Sequence, residues 1–98
     1  MKPELKLSDL IGKRVHFIGI GGAGMSGLAR IALSHGIKVS GSDAKDSNVV
    51  VALRALGATV EVSHKSENVD GSDLVVFSTA ISERNPERLR AAELGITQ

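Results

Sequence analysis

A glycine-rich segment near the N-terminus has the spacing of a phosphate-binding loop. Residues 19–24 read Gly-Ile-Gly-Gly-Ala-Gly and lie between an apolar run and a helical pattern. In such a loop Gly19 permits a tight turn out of the strand, Gly21 leaves room for a pyrophosphate, and Gly24 lets the helix and strand pack closely. Backbone N–H groups at the start of the helix then point at the anion. The residues expected to form this phosphate site are Gly19, Gly21, Gly22, Ala23, Gly24, Met25 and Ser26.

Asp43 is the second candidate, because it lies at the end of the next apolar run, where a nucleotide-binding domain places an acid. An acid at this position accepts hydrogen bonds from ribose hydroxyls. Both features have a plainer alternative: the glycines can form a turn made for packing, and Asp43 can cap a helix or a turn, as Asp46 can. Because the loop and the acid agree in position, the sequence predicts a nucleotide site.

Polar residues at the ends of two further strands extend this candidate site. In an open α/β sheet, ligands bind outside the carboxyl ends of the strands. The third strand ends at His64, which is expected to contact the base. The fourth leads into Ser78 and Thr79, whose hydroxyls can donate to phosphate oxygens, although lone polar residues at such positions are also common in ordinary loops. His16 in the first strand and His35 at a helix end are assigned no role.

Composition narrows the class of ligand and partner. The 98 residues are 42% apolar and 23% charged with a net charge of +1, which is typical of one globular domain and gives no reason to expect nucleic acid or membrane as a partner. Cysteine is absent, and no ATP-binding P-loop, catalytic dyad or metal-ligand cluster occurs. Without an apolar leader or a run of about 18 apolar residues, a cytoplasmic location is expected. Two phenylalanines are the only aromatic residues, so base recognition must depend on backbone amides and polar side chains.

Short apolar runs alternate with helical patterns, which predicts a βαβ chain with a parallel sheet. The strands are predicted at 15–20, 38–42, 59–63 and 74–80. The helices are predicted from the glycine cluster to residue 35, from a cap at 46 or 47 to residue 56, and from a cap at 85 to residue 94. The valine run 49–51 is typical of a strand, but Val49, Leu53 and Leu56 share a helical face and Gly57 follows as a stop, so a helix is preferred.

The first helix is expected to bury one apolar face against the sheet. Residues at three- and four-residue spacing form this face, namely Met25, Leu28, Ala29, Ala32 and Leu33. Gly36 follows in the position where a left-handed residue ends a helix. These elements predict an α/β fold, a Rossmann-like three-layer domain with a parallel sheet of four to five strands, in a single domain over 1–98 with an N-terminal extension at 1–13.

The last residues are expected to begin a fifth strand that is not completed by residue 98. The apolar fourth strand would then be a partly exposed edge with unpaired N–H and C=O groups. Weak self-association through that edge is therefore expected.

One long run resembles a known family. The segment 16–29, His-Phe-Ile-Gly-Ile-Gly-Gly-Ala-Gly-Met-Ser-Gly-Leu-Ala, resembles the start of the Mur ligases, and best of all the branch that joins L-alanine to UDP-N-acetylmuramate. The resemblance continues through 39–43, 56–58, 64–68, 78–82 and 85–87, so it covers nearly everything from residue 14 to residue 96. It implies the strand order 3-2-1-4-5.

The resemblance also implies a division of labour. In that family the first domain binds the UDP part of the substrate, the central domain binds ATP and magnesium, and the third binds the amino acid. The muramyl carboxylate is activated as an acyl phosphate, which the amine of L-alanine attacks. By this resemblance 21–24 face the diphosphate, Asp43 and His64 face the uridine, and Ser78 and Thr79 lie on the phosphate side. The family's Gly-Thr-His-Gly-Lys-Thr signature for ATP does not occur through residue 98, so no cofactor and no catalysis are expected of this fragment alone.

Three alternatives stay open. A nicotinamide-dependent oxidoreductase or ligand-sensing domain that binds NAD would have the same glycine loop and acid, although the runs 21–26 and 78–82 favour the Mur ligases. Within the family, a recycling ligase that attaches a preformed peptide to UDP-N-acetylmuramate is the nearer alternative. A fragment that folds without binding is the third.

Overall fold

The computed structural model describes residues 7–98, which form a four-stranded sheet and three α-helices in alternating order. The predicted extension at 1–13 lies partly outside the described residues, and its described part contains a 3-10 turn at Leu7–Leu10. The strands are β1 Arg14–Ile18, β2 Lys38–Ser42, β3 Thr59–Glu61 and β4 Leu74–Phe77. The helices are α1 Ala23–Ser34, α2 Asn48–Ala55 and α3 Pro86–Leu94, with a second 3-10 turn at Ser66–Val69.

The strands are parallel, and their order across the sheet is β3-β2-β1-β4. Val15 of β1 is paired with Val39 on one side and with Leu74 on the other. Outside β4, Thr97 forms an isolated parallel bridge, and its carbonyl accepts a hydrogen bond from the amide of Val75 at 2.8 Å. The α/β fold class is confirmed, and so are the first four positions of the expected order 3-2-1-4-5. At the place of a fifth strand the described residues contain the isolated bridge at Thr97.

Three of the strands end earlier than the sequence predicts. β1 ends at Ile18 instead of residue 20, because Gly19 has a left-handed conformation with φ of +76° and turns the chain out of the sheet. The amides of Gly19 and Ile20 both donate to the carbonyl of Ser42, so the loop stays bound to the end of β2. β3 ends at residue 61 instead of 63, and β4 ends at residue 77 instead of 80. The polar residues after these strands therefore lie in loops, where a ligand can reach them.

Two helices begin at the predicted capping residues. The hydroxyl of Ser47 accepts a hydrogen bond from the amide of Val50 at 3.3 Å at the start of α2. The side chain of Asn85 accepts one from the amide of Glu87 at 2.9 Å at the start of α3, where Pro86 takes the first position. The valine run is a helix as predicted, because the Ser47 cap satisfies an amide that would otherwise lack an acceptor.

Helices cover both faces of the sheet. α1 and α2 cover one face over an apolar core to which β1 contributes Val15 and Phe17. α3 and the 3-10 turn at Ser66–Val69 cover the other face, over a smaller core that includes Ile18 and Val75. Because the strands are parallel, the loops that follow β1, β2, β3 and β4 all lie at the carboxyl edge of the sheet.

Leu28, which helical spacing predicts to be buried, is exposed, and so is Leu56, which was predicted to share a helical face with Leu53. Leu28 is 51% exposed and Leu56 is 54% exposed. The buried residues of α1 are Met25, Ala29 and Ala32. They follow one narrow side of the helix, and the small alanines let the helix lie close to the sheet, which leaves Leu28 at the flank. Leu56 lies past the last residue of α2, and Val50 takes the buried position instead.

Candidate functional site

The first turn of α1 has backbone donors that are free to bind an anion. Gly22 is the N-cap residue, and no side chain caps the helix. The amides of Ala23, Gly24 and Met25 have no acceptor within residues 7–98. Ser26 differs, because its amide already donates to the carbonyl of Gly22 at 2.8 Å. Unpaired amides at the positive end of a helix dipole are a site for phosphate that needs no basic side chain.

An open cleft of ≈ 400 Å³ separates this helix start from the end of β4. The residues that line it are Gly22, Ala23, Gly24, Met25, Leu28, Val76, Phe77 and Ser78. The structure thus brings Ser78 opposite the unpaired amides, as the strand-end rule predicts. Thr79 is exposed in the turn that follows.

Arg88 of α3 adds a positive charge near this cleft. Its guanidinium carbon lies 3.9 Å from the centre of the Phe77 ring, and its Nη1 donates to the carbonyl of Ile81 at 3.0 Å. One face of Phe77 is therefore covered by a cation, which favours the approach of an anion to the end of β4. Arg88 was not among the candidates, since spacing within a helix does not reveal which loop a long side chain reaches.

Asp43 is bound to the glycine loop. Its Oδ2 accepts a hydrogen bond from the amide of Gly21 at 2.8 Å, and its Oδ1 accepts one from the amide of Lys45 at 3.1 Å. A Cβ placed on Gly21 would lie 2.8 Å from Oδ2 of Asp43, which is closer than real Cβ contacts. The Asp43 carboxylate thus occupies the space where a side chain at position 21 would lie. Contact and hydrogen bond together fix the acid to the glycine loop.

His64 is held by a buried carboxylate. Its Nδ1 lies 3.0 Å from Oε2 of Glu87 and 3.0 Å from Oγ of Ser42. The other carboxylate oxygen accepts a hydrogen bond from Oγ of Ser42 at 2.8 Å and contacts Nε2 of His16. Nδ1 of His16 lies 2.8 Å from Oγ of Ser40. We call these five residues, Ser40, His16, Ser42, Glu87 and His64, the buried polar network.

Glu87 is ionised at neutral pH although its side chain is 0% exposed. Burial raises the pKa of its carboxyl, but hydrogen bonds from His16, Ser42 and His64 and the charge of His16 together outweigh burial and hold the pKa below its ordinary value of 4.5. An ionised carboxylate only accepts hydrogen bonds, so the ring nitrogens that face it must carry protons. His64 therefore donates through Nδ1, and its Nε2 is left for solvent or a ligand.

The candidate residues follow the carboxyl edge of the sheet in the order of the strands. His64 comes after β3, Asp43 after β2, the glycine loop after β1 and Ser78 after β4. Contacts join the first three groups, since His64 touches Ser42, the neighbour of Asp43, and Asp43 binds Gly21. The arrangement has acceptors at one end and free amides and hydroxyls at the other. Such a row can hold a molecule that carries hydroxyl or N–H donors at one end and phosphate at the other.

His16 and Glu87 are the residues that the sequence analysis most clearly misjudged. His16 was assigned no role and Glu87 was not among the candidate residues, yet both lie at the centre of the buried polar network. A signal was available for His16, because His16, Ser40 and Ser42 are polar residues in strands covered on both faces, where apolar runs are the rule. No comparable signal marks Glu87, since acids are common in first helical turns.

Residues 7–98 contain no group of three or more His, Asp or Glu side chains that could hold a metal ion. His16, His64 and Glu87 form hydrogen bonds within the network instead of pointing at a common centre. Over the same range, no helix is long and apolar enough to cross a membrane.

The sequence of this chain is similar to those of known proteins. The model of the Mur ligase family, catalytic domain, matches residues 14–98. The UDP-N-acetylmuramate–L-alanine ligase of Persephonella marina is 50% identical over 84 residues, which are 86% of this chain and 18% of that protein. The protein of the same name from Streptomyces avermitilis is 61% identical over 84 residues, which are 85% of this chain and 18% of that protein. The chain thus spans about a fifth of the length of the curated relatives it matches.

Solved structures show the same fold. The UDP-N-acetylmuramate–alanine ligase of Thermotoga maritima superimposes with a TM-score of 0.82 at 37% identity, over 86% of this chain and 20% of that chain. A murein peptide ligase of Psychrobacter arcticus gives 0.79 at 29% identity, over 88% of this chain and 18% of that chain. A precorrin-2 dehydrogenase gives 0.72 at 17% identity, over 99% of this chain and 47% of that chain, and shares the fold alone. With the family model matched over 14–98 and relatives at 50–61% identity, the chain belongs to the Mur ligase family.

Proposed function

We propose that this chain is the N-terminal, substrate-binding domain of a UDP-N-acetylmuramate–L-alanine ligase of peptidoglycan synthesis, and that it binds the UDP part of UDP-N-acetylmuramate. The observation that carries the proposal is the row of groups at the carboxyl edge of the sheet. Unpaired amides at the start of α1 lie between the acceptors Asp43 and His64 on one side and the hydroxyl of Ser78 on the other. Relatives with the same segment are named for this substrate.

The diphosphate lies against the start of α1 in this proposal. The amides of Ala23, Gly24 and Met25 donate to phosphate oxygens, because they have no acceptor within residues 7–98. The hydroxyls of Ser78 and Thr79 donate from the far side of the cleft. The remaining members of the proposed site, Gly19, Gly21, Gly22 and Ser26, shape the loop and the first turn that present these amides.

The uridine lies on the side of β2 and β3. Each carboxylate oxygen of Asp43 already accepts one backbone amide, and a carboxylate offers about four acceptor positions, so ribose hydroxyls can occupy the others. His64 faces the nucleoside with Nε2. Recognition by acceptors suits a chain with two phenylalanines and no other aromatic residue on which a base could stack.

The amide-forming chemistry is proposed to belong to the rest of a longer protein, in the cytoplasm. In the full-length enzyme ATP and magnesium would supply the activation of the muramyl carboxylate, and L-alanine would then form the amide bond with release of ADP and phosphate. The role of this chain is to bind and orient the UDP end of the substrate, so that the carboxylate reaches the other two domains. The chain alone is expected to form no amide bond and to hydrolyse no ATP.

A second candidate function is supported by one observation. The fold agrees well with that of a murein peptide ligase, at a TM-score of 0.79. A recycling ligase of that kind is therefore the alternative within the family. NAD binding has weaker support, because the dehydrogenase neighbour is 17% identical and indicates the fold alone.

Titration of isotope-labelled chain with UDP-N-acetylmuramate, UDP and NAD, followed by amide NMR, tests the proposal. Both uridine ligands are expected to shift the amides of 21–26, Asp43 and Ser78, with weak affinity because the other domains are missing. Asp43→Asn should weaken UDP binding, since it removes the charge that ribose hydroxyls prefer. The matched control is Asp46→Asn, because Asp46 is exposed and is paired only loosely with Arg54 at 3.5 Å.

Three results would contradict parts of the proposal. One is a larger, saturable set of shifts with NAD at the same amides, which would favour the oxidoreductase or sensor alternative. Another is UDP binding that is unchanged or tighter in Asp43→Asn, as it is in Asp46→Asn, which would show that the Asp43 carboxylate makes no favourable contact with the nucleotide. Phosphate release that depends on L-alanine and UDP-N-acetylmuramate would show that the chain is active without further domains.

A further inference from the structure

We propose that Glu87 is a positioning residue for the nucleotide site: it holds His64 in the Nδ1–H tautomer, so that Nε2 accepts a hydrogen bond from a donor group of the bound nucleoside. The inference rests on the proposed function, because it assigns a role to a residue that lies behind the UDP site. Glu87 touches no ligand in this arrangement and acts through His64.

The ring of His64 connects the buried polar network with the surface. Its side chain is 23% exposed, whereas that of Glu87 is 0% exposed. Within residues 7–98, the one buried side-chain polar atom without a hydrogen-bond partner is Oγ of Ser72. Nε2 of His64, which has no protein partner in the described structure, is therefore in contact with solvent at the carboxyl edge of the sheet.

The tautomer follows from the charge of Glu87. A neutral imidazole has one donor and one acceptor nitrogen, and the hydrogen bond made by one nitrogen sets the role of the other. Nδ1 of His64 faces a carboxylate oxygen at 3.0 Å and must donate. Nε2 then has a free lone pair. A uridine nucleotide offers matching donors at N3–H of the base and at the ribose hydroxyls.

Glu87 is itself held from several sides, which makes it suited to orient a neighbour. Its backbone amide donates to the cap residue Asn85 at 2.9 Å. His16 and Ser42 both contact Oε1 of its carboxylate, and this leaves Oε2 to His64. His16 lies on β1, the strand that leads into the glycine loop, so the same strand supports both ends of the proposed UDP site.

The tautomer is measured directly, without nucleotide, by long-range nitrogen–hydrogen correlation NMR of the histidine rings near neutral pH. We expect His64 to carry its proton on Nδ1 in the unsubstituted chain. In Glu87→Gln the carboxylate charge is lost, and the population should shift toward the Nε2–H form. Glu83→Gln is the matched control, because Glu83 is an exposed acid just before α3 and its loss should leave His64 unchanged.

Binding of UDP supplies the second readout. Glu87→Gln and His64→Ala should each weaken UDP by about three- to tenfold, which is the effect of one hydrogen bond. Because both changes remove the same contact, their effects should not add. The double variant should therefore bind UDP as tightly as the single variant with the lower UDP affinity. The N3-methyl and 2′-deoxy analogues of UDP then identify the donor group. The analogue that lacks this group should bind the unsubstituted chain more weakly than UDP does. It should bind His64→Ala as tightly as UDP does.

Each outcome decides the inference. It is overturned if His64 of the unsubstituted chain carries its proton on Nε2, or if Glu87→Gln binds UDP as tightly as the unsubstituted chain. Should Glu87→Gln fail to fold, the tautomer of the unsubstituted chain and the His64→Ala titration decide instead. If the unsubstituted chain binds no UDP, the proposed function fails, while the tautomer still shows whether Glu87 orients His64.

Discussion

The two faces of the sheet differ in what holds their helices. The face under α1 and α2 is closed by apolar side chains, among which Val50 and Leu53 are 0% exposed. The face under α3 has a smaller apolar core, and Glu87, also 0% exposed, lies beside it in the buried polar network. Alternation along the strands assigns Phe17 to the first face and its neighbour His16 to the second.

This difference shows that burial has two uses within one small domain. Burial of apolar surface stabilises the fold by about 25 cal/mol for each Å² wherever the shapes fit. One aliphatic side chain can therefore replace another of similar shape. A buried carboxylate is costly unless every partner is in place, so it specifies one arrangement of its neighbours. The apolar face therefore tolerates changes of aliphatic residue, whereas the polar face depends on each partner of Glu87.

Removal of the carboxylate from the polar face should give the largest change. Glu87→Ala leaves His16 and His64 without their acceptor, and we expect the free energy of unfolding to fall by about 3–5 kcal/mol. Urea denaturation measures this, with the exposed Glu83→Ala as the control at less than about 0.5 kcal/mol. A loss below about 1 kcal/mol would mean that the network contributes no more than a surface pair.

A cavity in the apolar face should cost somewhat less. Leu53→Ala removes a fully buried side chain, and we expect a loss of about 3 kcal/mol from transfer and cavity terms together. Leu56→Ala is the matched control, since Leu56 is 54% exposed and its loss should change little. Equal effects of the two substitutions in denaturation would show that α2 does not pack as described.

The pH dependence separates the two faces. The pKa of Glu87 lies below its ordinary value of 4.5 in the folded chain, so the unfolded chain takes up a proton first as the pH falls. The stabilisation by Glu87 is therefore complete above the ordinary value and disappears as the pH falls through the lowered one. Thermal melts in acid should show the deficit of Glu87→Ala shrinking, whereas that of Leu53→Ala stays constant. A constant deficit for both would contradict an ionised Glu87.

The glycine loop should respond in ligand binding more than in stability, because it lies at the edge of both faces. A Cβ at position 21 would displace the Asp43 carboxylate, and we expect Gly21→Ala to weaken UDP about tenfold or more while the fold is kept, an effect of about 1.4 kcal/mol. Gly27→Ala is the control, since nothing lies within 4 Å of a Cβ there. Unchanged UDP affinity in a folded Gly21→Ala chain would show that the glycine loop is not part of the UDP site.

The smallest expected effect concerns the edge of the sheet. Helices cover both faces, and self-association is expected through the outer edge of β4, where the Thr97 bridge pairs part of the strand. We expect weak dimerisation at about millimolar concentration, seen by sedimentation across a concentration series. A chain that stays monomeric throughout would show that 96–98 cover the edge sufficiently.

Local patterns were enough to predict most of the architecture and part of the arrangement of the candidate residues. The strand–glycine–helix pattern at 15–29, the caps at Ser47 and Asn85, and the stops at Gly36 and Gly57 are decided by neighbours in sequence, so they could be read without a structure. The position of Asp43 at the end of β2 follows from the same patterns. The parallel order then brings these strand ends to one edge, as the strand-end rule states.

Only the tertiary structure decided which buried residues contact His64 at that edge. Glu87 lies 71 residues after His16 and 23 after His64, and nothing in its helix shows that it reaches β1. The exposure of Leu28 likewise depends on how closely two alanines bring α1 to the sheet. Spacing in a sequence determines which face of an element a residue occupies. Which distant element covers that face, and whether a buried charge finds its partners there, depends on packing between elements, which local spacing does not encode.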